Sequence, residues 1–333
     1  MKRIKIAQIG TSENSHGNDI WNTLIKLSDV FEIVGYAFPE NEDIKFPDRA
    51  KAFLPYKRMT VEEILENPEI KAVTVETEEI YLTKYAQMVA NSKKALHMEK
   101  PGSPDLASFE RLIQTLKSNE TVFHTGYMYR YNPLISDVLN RIKKSEIGKI
   151  TCVDAQMSCY HRKQTREFLA DFPSGELFFL GCHLIDLIVS ILGIPNEILP
   201  LSFASGKDGV FTDDIGMAVF KYPNAIATAR VNGTELGGFN RRQLVITGET
   251  GTIEIKPLEM FYPEYPRLAT VVTEYTNDDW DNKGNINQVS DFDRYENMML
   301  SFAQMVRGEK KNPYTYDYEL ELFKTVMKGC GVE

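Results

Sequence analysis

The sequence predicts an α/β chain in two parts: a doubly wound parallel sheet over residues 1–124, and an α+β half with an open, mostly antiparallel sheet over 125–333. Three observations carry this. Short apolar runs at 4–9, 31–37, 71–76, 95–98 and 121–124 are nearly continuous, as in strands buried on both faces. Helical patterns lie between those runs. Beyond residue 125 the chain changes to successive strand-like runs separated by turn residues.

The elements follow in order. The run from Ile4 to Ile9 leads into Gly10 and then a helix, on which Ile20, Trp21, Leu24 and Ile25 share one face. Thr60 and Glu63 have the spacing of a capping box. Ser103-Pro104-Asp105 opens a helix whose Leu106, Phe109, Leu112, Ile113 and Leu116 line one side. Repeated β–α units of this kind build a Rossmann-type sheet, which binds ligands at the carboxyl ends of its strands. In the second half a helix over 133–146 precedes a strand from Lys149 to about Cys159 and a helix from about Glu176 to Leu192. Strands are expected at 198–204, 214–222, 225–232, 242–247, 252–256 and 269–275, with turns at Pro223-Asn224 and Glu249-Thr250-Gly251. The polar stretch 276–290 reads as a loop, and helices over about 291–307 and 316–329 close the chain.

Composition limits the function classes. The 333 residues suit about two domains. At 43% hydrophobic and 26% charged they can bury a sizeable core. A net charge of −9 without long blocks of one sign argues against a nucleic-acid or anionic-membrane surface, which needs a basic face. No run of about 20 apolar residues is present to span a membrane. The opening MKRIKIAQIG enters a strand at once and lacks a signal-peptide core, so a cytoplasmic protein is expected. Cys152, Cys159, Cys182 and Cys330 form no C-x-x-C pair and read as reduced structural thiols. No metal site is expected, since zinc ligands would need closer spacing.

The first β–α turn holds the first candidate site. A dinucleotide-binding turn carries G-x-G-x-x-G: one glycine for the bend, one for close approach to the pyrophosphate, one for helix packing. Here Gly10 is kept, while Ser12 and Ser15 occupy the other two positions. Gly10, Thr11 and Ser12 are the cofactor candidates, with the helix N-terminus attracting the anion. A plain β–α connection is the competing reading. The second strand ends IVGYAFPENED, with Phe38 where a ribose-binding acid is expected and Glu40 two residues on. Phe38 reads as packing, against an adenine ring or its own core. Acids at 40, 42 and 43 without a neighbouring arginine favour NAD over NADP.

The stretch AVTVETEEIYLTKYAQMVANSKKALHMEKPGSPD is more specific. It runs strand, loop, helix, strand, and ends in Glu99-Lys100-Pro101 before a helix start. This resembles the Gfo/Idh/MocA oxidoreductase family. GYMYRYNPL at 126–134 looks like that family's passage into its second domain. GELFFLGCHLIDLIVSILG at 175–193 looks like its G-G-G-x-x-x-D-x-G-x-H-x-x-D helix, and ITGETGTIEI at 246–255 like its sheet hairpin. The resemblance covers nearly the whole chain and implies an NAD-dependent enzyme with the Glu-Lys-Pro lysine near nicotinamide and substrate. Lys100 and His183 are then the catalytic pair. Thr77, Glu99 and Lys100 join Gly10, Thr11, Ser12 and Phe38 at the cofactor. Tyr129, Arg130, Phe179, His183 and Asp186 are the substrate candidates.

The chain also departs from the family pattern. The aspartate four residues before the histidine is Phe179, and the usual Thr-Pro after the third strand is Thr77-Glu78. Oxidising a secondary alcohol removes a hydride and a hydroxyl proton together. A histidine suits the proton because its ordinary pKa lies near working pH. Phe179, His183 and Asp186 fall at i, i+4 and i+7, one face of a regular helix. Tyr127, Tyr129, Arg130 and Tyr131 read equally as sugar contacts or as packing, and Asp186 as an orienting partner of His183 or part of a polar network. His161, Arg162 and Arg166 read as an exposed loop, with contacts to an acidic substrate group as the alternative. The expected substrate is a sugar, sugar derivative or cyclitol, and the expected assembly a homo-oligomer, dimer or tetramer, through the C-terminal sheet. The alternative is a sugar- or nucleotide-sensing binding protein that kept the fold without catalysis.

Overall fold

The computed structural model describes residues 2–262, 265–280 and 282–332. The chain forms two compact units, 1–128 with 295–321, and 129–294 with 322–333. The sequence reading put the whole C-terminal end with the second half. Residues 295–321 instead belong to the first unit, because their helix presents Phe302 to the buried rings of His97 and His124, 5.9 and 5.2 Å away.

The first unit is built on a five-stranded parallel sheet. In chain order its strands are β1 (Ile4–Ile9), β2 (Phe31–Ala37), β3 (Ala72–Val75), β4 (Ala95–Met98) and β5 (Phe123–Thr125). Their spatial order is β2-β1-β3-β4-β5. The direction of winding reverses between β1 and β3, which places the ligand-binding switch point of such a sheet at their carboxyl ends. The connecting helices are α1 (Gly17–Lys26), α2 (Val61–Glu66), α3 (Leu82–Asn91) and α4 (Leu106–Ser118). The capping box at α2 forms as expected: Glu63 N donates to Thr60 Oγ1 and Thr60 N to Glu63 Oε2. Trp21 of α1 stacks on Phe53 at 4.3 Å, anchoring the helix to the chain that follows β2.

The second unit opens with α5 (Pro133–Lys143) and β6 (Ile150–Ser158), and includes α6 (Cys182–Leu192). The strands that follow are β7 (Glu197–Phe203), β8 (Ile215–Lys221), β9 (Ile226–Asn232), β10 (Gln243–Gly248), β11 (Thr252–Ile255), β12 (Met260–Tyr262), β13 (Tyr265–Tyr275) and β14 (Asn285–Phe292). Together with β6 they make a nine-stranded sheet in the order β12-β13-β11-β10-β6-β9-β8-β7, with β14 on β13. Among the described residues only the β6–β9 pair is parallel. Period-2 alternation gives the sheet one dry face: Ala218 and Phe220 of β8, with Ala227, Ala229 and Val231 of β9, are buried. Its other face exposes Leu199, Leu201 and Phe203.

Two expectations are corrected here. Residues 285–290 are not loop; their polar side chains hid a strand that the ladder to β13 stabilises. The helix read from about Glu176 does not begin as a regular one. Leu177–Gly181 is a π-turn, and the α-helix starts at Cys182. Its i→i+5 bonding shifts the phase between Phe179 and the residues after it. Two further helices, α7 (Glu296–Val306) and α8 (Tyr316–Gly329), follow the sheet. Among the described residues no helix is long and apolar enough to cross a membrane.

Candidate active site

At the switch point, Gly10 ends β1 with φ +89°. A Cβ there would lie 2.4 Å from Thr77 Cγ2 and 2.6 Å from Thr77 N. Gly10 is therefore required both for its left-handed backbone and for the close passage of β1 past Thr77.

The loop after Gly10 satisfies its own backbone. Thr11 N donates to Glu42 Oε2 at 3.2 Å, and Thr11 Oγ1 to Asn18 Oδ1 at 2.8 Å. Ser12 N donates to Ser15 Oγ at 3.1 Å and Ser15 N to Ser12 Oγ at 3.0 Å, a reciprocal pair. Gly17 N also donates to Ser15 Oγ. The two serines thus hold the loop shape that glycines usually allow. The N-cap residue of α1, His16, makes no side-chain cap; Ser15 Oγ takes the Gly17 N–H, and the remaining positive end of the helix dipole faces an anion at this loop. Ser12 Oγ, an acceptor from Ser15, keeps its own hydrogen to donate.

Buried acids crowd this edge of the sheet: Glu42, Glu76, Glu79 and Glu99. Their charges differ. Burial pushes Glu42 up to about 9, against the weaker pull of the Thr11 N–H. Burial and neighbouring Glu99 raise Glu76. Burial raises Glu79 to about 7, opposed by Lys100. Burial also works against the charge on Glu99, but His16, with Nδ1 3.0 Å from Oε2, and Lys100 outweigh it and hold Glu99 below the ordinary range. At neutral pH Glu42 is protonated, Glu76 is pushed toward its neutral form, and Glu99 is a carboxylate already paired. A pyrophosphate at this loop therefore does not meet four anions, and the donor chemistry fits a dinucleotide. Substituting Ser12 by leucine should weaken NAD binding without unfolding the protein. Calorimetry on both proteins checks this, and equal affinities would contradict it.

Glu42 also sets a pH dependence. Its folded pKa stands above the unfolded value of about 4.5, so its contribution to stability is complete below that value and is lost as pH rises toward 9. Glu42→Gln keeps an acceptor for Thr11. It should change the melting temperature little near pH 4 and raise it progressively from pH 5 to 9. A pH-independent difference in thermal melts would contradict this.

Phe38 is half-buried in an aromatic cluster, 4.7 Å from Tyr36 and 4.9 Å from Phe53. Glu40 is a carboxylate held below its ordinary pKa by hydrogen bonds from Lys84 and Tyr85. The fold does supply basic neighbours that proximity in sequence did not reveal. Lys84 pairs with Glu40, Lys45 with Glu78, and Arg58 with Asp43 at 2.8 Å. Lys100 follows β4 and is buried, its backbone N–H donating to Glu99 Oε1 at 3.0 Å.

The other candidates lie in the second unit. Arg130 and Asp186 form a buried bidentate ion pair, with contacts of 2.7, 2.9 and 3.1 Å. The pair ties the turn before α5 to α6, one helical turn beyond His183. Tyr129 places its ring edge-on to His183, with centroids 5.4 Å apart, and donates its hydroxyl to Glu259 at 2.9 Å. Glu259 in turn accepts from Arg294 at 2.7 Å and from Arg242 at 3.3 Å. Tyr129 thus packs on a buried His183, and the Arg130–Asp186 pair anchors the helix that carries it. Phe179, within the π-turn, lies near the rings of His161 and Phe168, at 6.2 and 5.9 Å. Arg166, read as part of an exposed loop, is fully buried. Its guanidinium donates to Lys207 O at 2.8 Å and pairs with Asp208 and Asp214.

Sequence reasoning counted Glu42 only among the acids that follow β2, and missed Glu76 and Glu79. The run Glu76-Thr77-Glu78-Glu79 at the end of a buried strand was the available signal. A groove of about 770 Å³ lies at the opposite end of the strands, beside Arg3, Lys71 and Arg307.

Comparison with known proteins places these features in a lineage. A family model described as an oxidoreductase family with an NAD-binding Rossmann fold matches residues 4–127, and one for the GFO/IDH/MocA C-terminal domain matches 136–254. An uncharacterized oxidoreductase of Escherichia coli, YhhX, is 26% identical over 41% of this chain and 40% of its own length. A myo-inositol 2-dehydrogenase of Thermotoga maritima is 24% identical over 61% of this chain and 67% of its own. The structure of a levoglucosan dehydrogenase with NADH and levoglucosan superposes at TM-score 0.78, covering 99% of this chain and 98% of its own at 16% identity. That of KijD10, a 3-ketoreductase from Actinomadura kijaniata with NADP, does so at 0.76, covering 98% and 96% at 18% identity.

Proposed function

Because the chain belongs to the Gfo/Idh/MocA oxidoreductase family, with its NAD-binding Rossmann fold, we propose that it oxidises or reduces a hydroxyl/keto group on a sugar, sugar derivative or cyclitol. NAD is the proposed cofactor, and Lys100 and His183 handle the proton. The observation that carries this reading is Lys100, buried at the carboxyl end of the parallel sheet beside Glu79 and Glu99. The names of the inositol and levoglucosan enzymes support a polyhydroxylated substrate.

In this reading Gly10, Thr11, Ser12 and Thr77 hold the cofactor at the switch point, with Phe38 on the adenosine side and Glu99 beside Lys100. When bound, the cofactor takes up or returns the hydride. Lys100 donates a hydrogen bond to the reacting oxygen. His183 receives the hydroxyl proton during oxidation and returns it during reduction. Tyr129 and the Arg130–Asp186 pair hold the imidazole in place, and Phe179 offers an apolar ring to the substrate where relatives of this family offer an acid. Glu40, ionised three residues beyond β2, favours a free ribose diol over a 2′-phosphate, which supports NAD.

The test is a hydride-transfer assay over sugars, sugar acids and cyclitols, read by nicotinamide absorbance. Turnover of at least one such compound is expected. Sugar binding without turnover across the panel would favour the second reading, a binding protein. The inward-turned donors of the 11–17 loop are the observation on that side.

The exposed apolar face of the second sheet, Leu199, Leu201 and Phe203, is the surface proposed for self-association. Leu201→Glu with Phe203→Glu should shift the sedimentation coefficient to that of a monomer. An unchanged value would remove this face from the account.

A further inference from the structure

Beyond β6 the chain continues extended. Cys159 N donates to Asn232 O at 3.1 Å, His161 N to Gly233 O at 2.7 Å, and Glu235 N to Cys159 O at 3.1 Å. Alternate residues of an extended segment point to one side, so the side chains of Cys159 and His161 emerge together. Glu176 enters from the start of the helical segment, its position set by its backbone N–H to Asp213 O at 2.9 Å. Cys159 Sγ lies 3.2 Å from His161 Nε2 and 3.8 Å from Glu176 Oε1, and His161 Nε2 lies 3.2 Å from Glu176 Oε2. Among the described residues, no other three metal-ligating side chains converge in this way.

We propose that Cys159, His161 and Glu176 bind one divalent cation of the zinc class. Ligand atoms around a tetrahedral zinc, at ordinary bond lengths to sulfur, nitrogen and oxygen, are about 3.3–3.6 Å apart. The three separations here bracket that range. Glu176 is fully buried, and its Oε2 has the His161 ring nitrogen 3.2 Å away but no well-aligned hydrogen bond. A buried carboxylate so thinly hydrogen-bonded is short of partners, and a cation shared with the imidazole and the thiol supplies one. A thiolate with an imidazole and a carboxylate selects zinc-like metals over magnesium or calcium. Three protein ligands leave a fourth position for water or an oxygen of a bound molecule.

None of the three residues has a task in the proposed hydride chemistry. The site nevertheless borders it, since the His161 ring is 6.2 Å from Phe179. The metal site stands whether or not that chemistry does.

The experiment uses the full chain, stripped with a chelator and titrated with Zn²⁺ by calorimetry and with Co²⁺ by absorbance. One equivalent of zinc should bind, and the cobalt form should show a sulfur-to-metal charge-transfer band. Cys159→Ser, His161→Ala and Glu176→Gln should each weaken zinc binding by at least roughly 10²-fold, since loss of a ligand costs more than loss of an outer partner. Cys152→Ser, outside the cluster, should bind as the unmodified chain does. Absence of the cobalt–thiolate band in the unmodified chain would overturn the proposal and leave a thiol–imidazole pair. So would unchanged zinc affinity in Cys159→Ser. The cobalt spectrum needs no variant, so it decides even if a substitution impairs folding.

Discussion

Replacing Lys100 or His183 with alanine should lower turnover roughly 10²–10⁴-fold, the range for positioned acid–base groups. The two losses should differ in form. Lys100 lies among buried carboxyl groups, lowering the pKa of both Glu79 and Glu99. Its removal leaves more negative charge at the edge of the sheet, so Lys100→Ala should weaken binding of the oxidised cofactor's anionic pyrophosphate as well as slow turnover. His183 sits on α6 against the Tyr129 ring, so His183→Ala should lower kcat with little change in cofactor affinity. Phe179→Asp restores the acid found in the family pattern and should change which sugars react more than whether any do. These are read from initial rates with the substrate found in the panel. Unchanged rates in both alanine variants would remove Lys100 and His183 from the mechanism.

The second large effect is on stability. Arg130→Ala should destabilise the protein by about 3–5 kcal/mol, the usual cost of leaving one member of a buried ion pair without its partner. Both side chains are about 1% exposed, so water cannot replace the guanidinium. Arg130→Met with Asp186→Leu removes both charges and should recover much of the loss, since an apolar pair of similar volume is often tolerated. Because α6 also carries His183, the double variant should fold yet turn over slowly. Urea denaturation followed by circular dichroism gives the stabilities. An Arg130→Ala midpoint equal to that of the unmodified chain would mean the pair is not the buried anchor described here.

Much of the architecture is legible along the chain because it depends on local pattern. The five parallel strands, the α2 capping box and the Glu-Lys-Pro after β4 all follow from residues within one or two elements. What was missed depends on distant partners. Ser12 and Ser15 are visible as replaced glycines, but Thr11 N meets Glu42, far along the chain, only after β2 folds alongside β1. Arg166 reads as surface until Asp208 and Asp214 arrive to neutralise it. Regular helical spacing puts Phe179 and His183 on one face, and a π-turn that no residue type announces alters that phase. Residues 285–290 carry little β propensity and become a strand only because β13 offers its edge. The convergence of Cys159 and His161 with Glu176 likewise needs the end of β6 and the start of a helix to meet.

The most direct test of the central claim is native mass spectrometry of the purified chain with NAD and NADP added separately. The account predicts one NAD per chain, a weaker NADP adduct, and a reduced NAD adduct in Ser12→Leu. No adduct with either dinucleotide at millimolar concentration, or NADP binding more tightly than NAD, would contradict it.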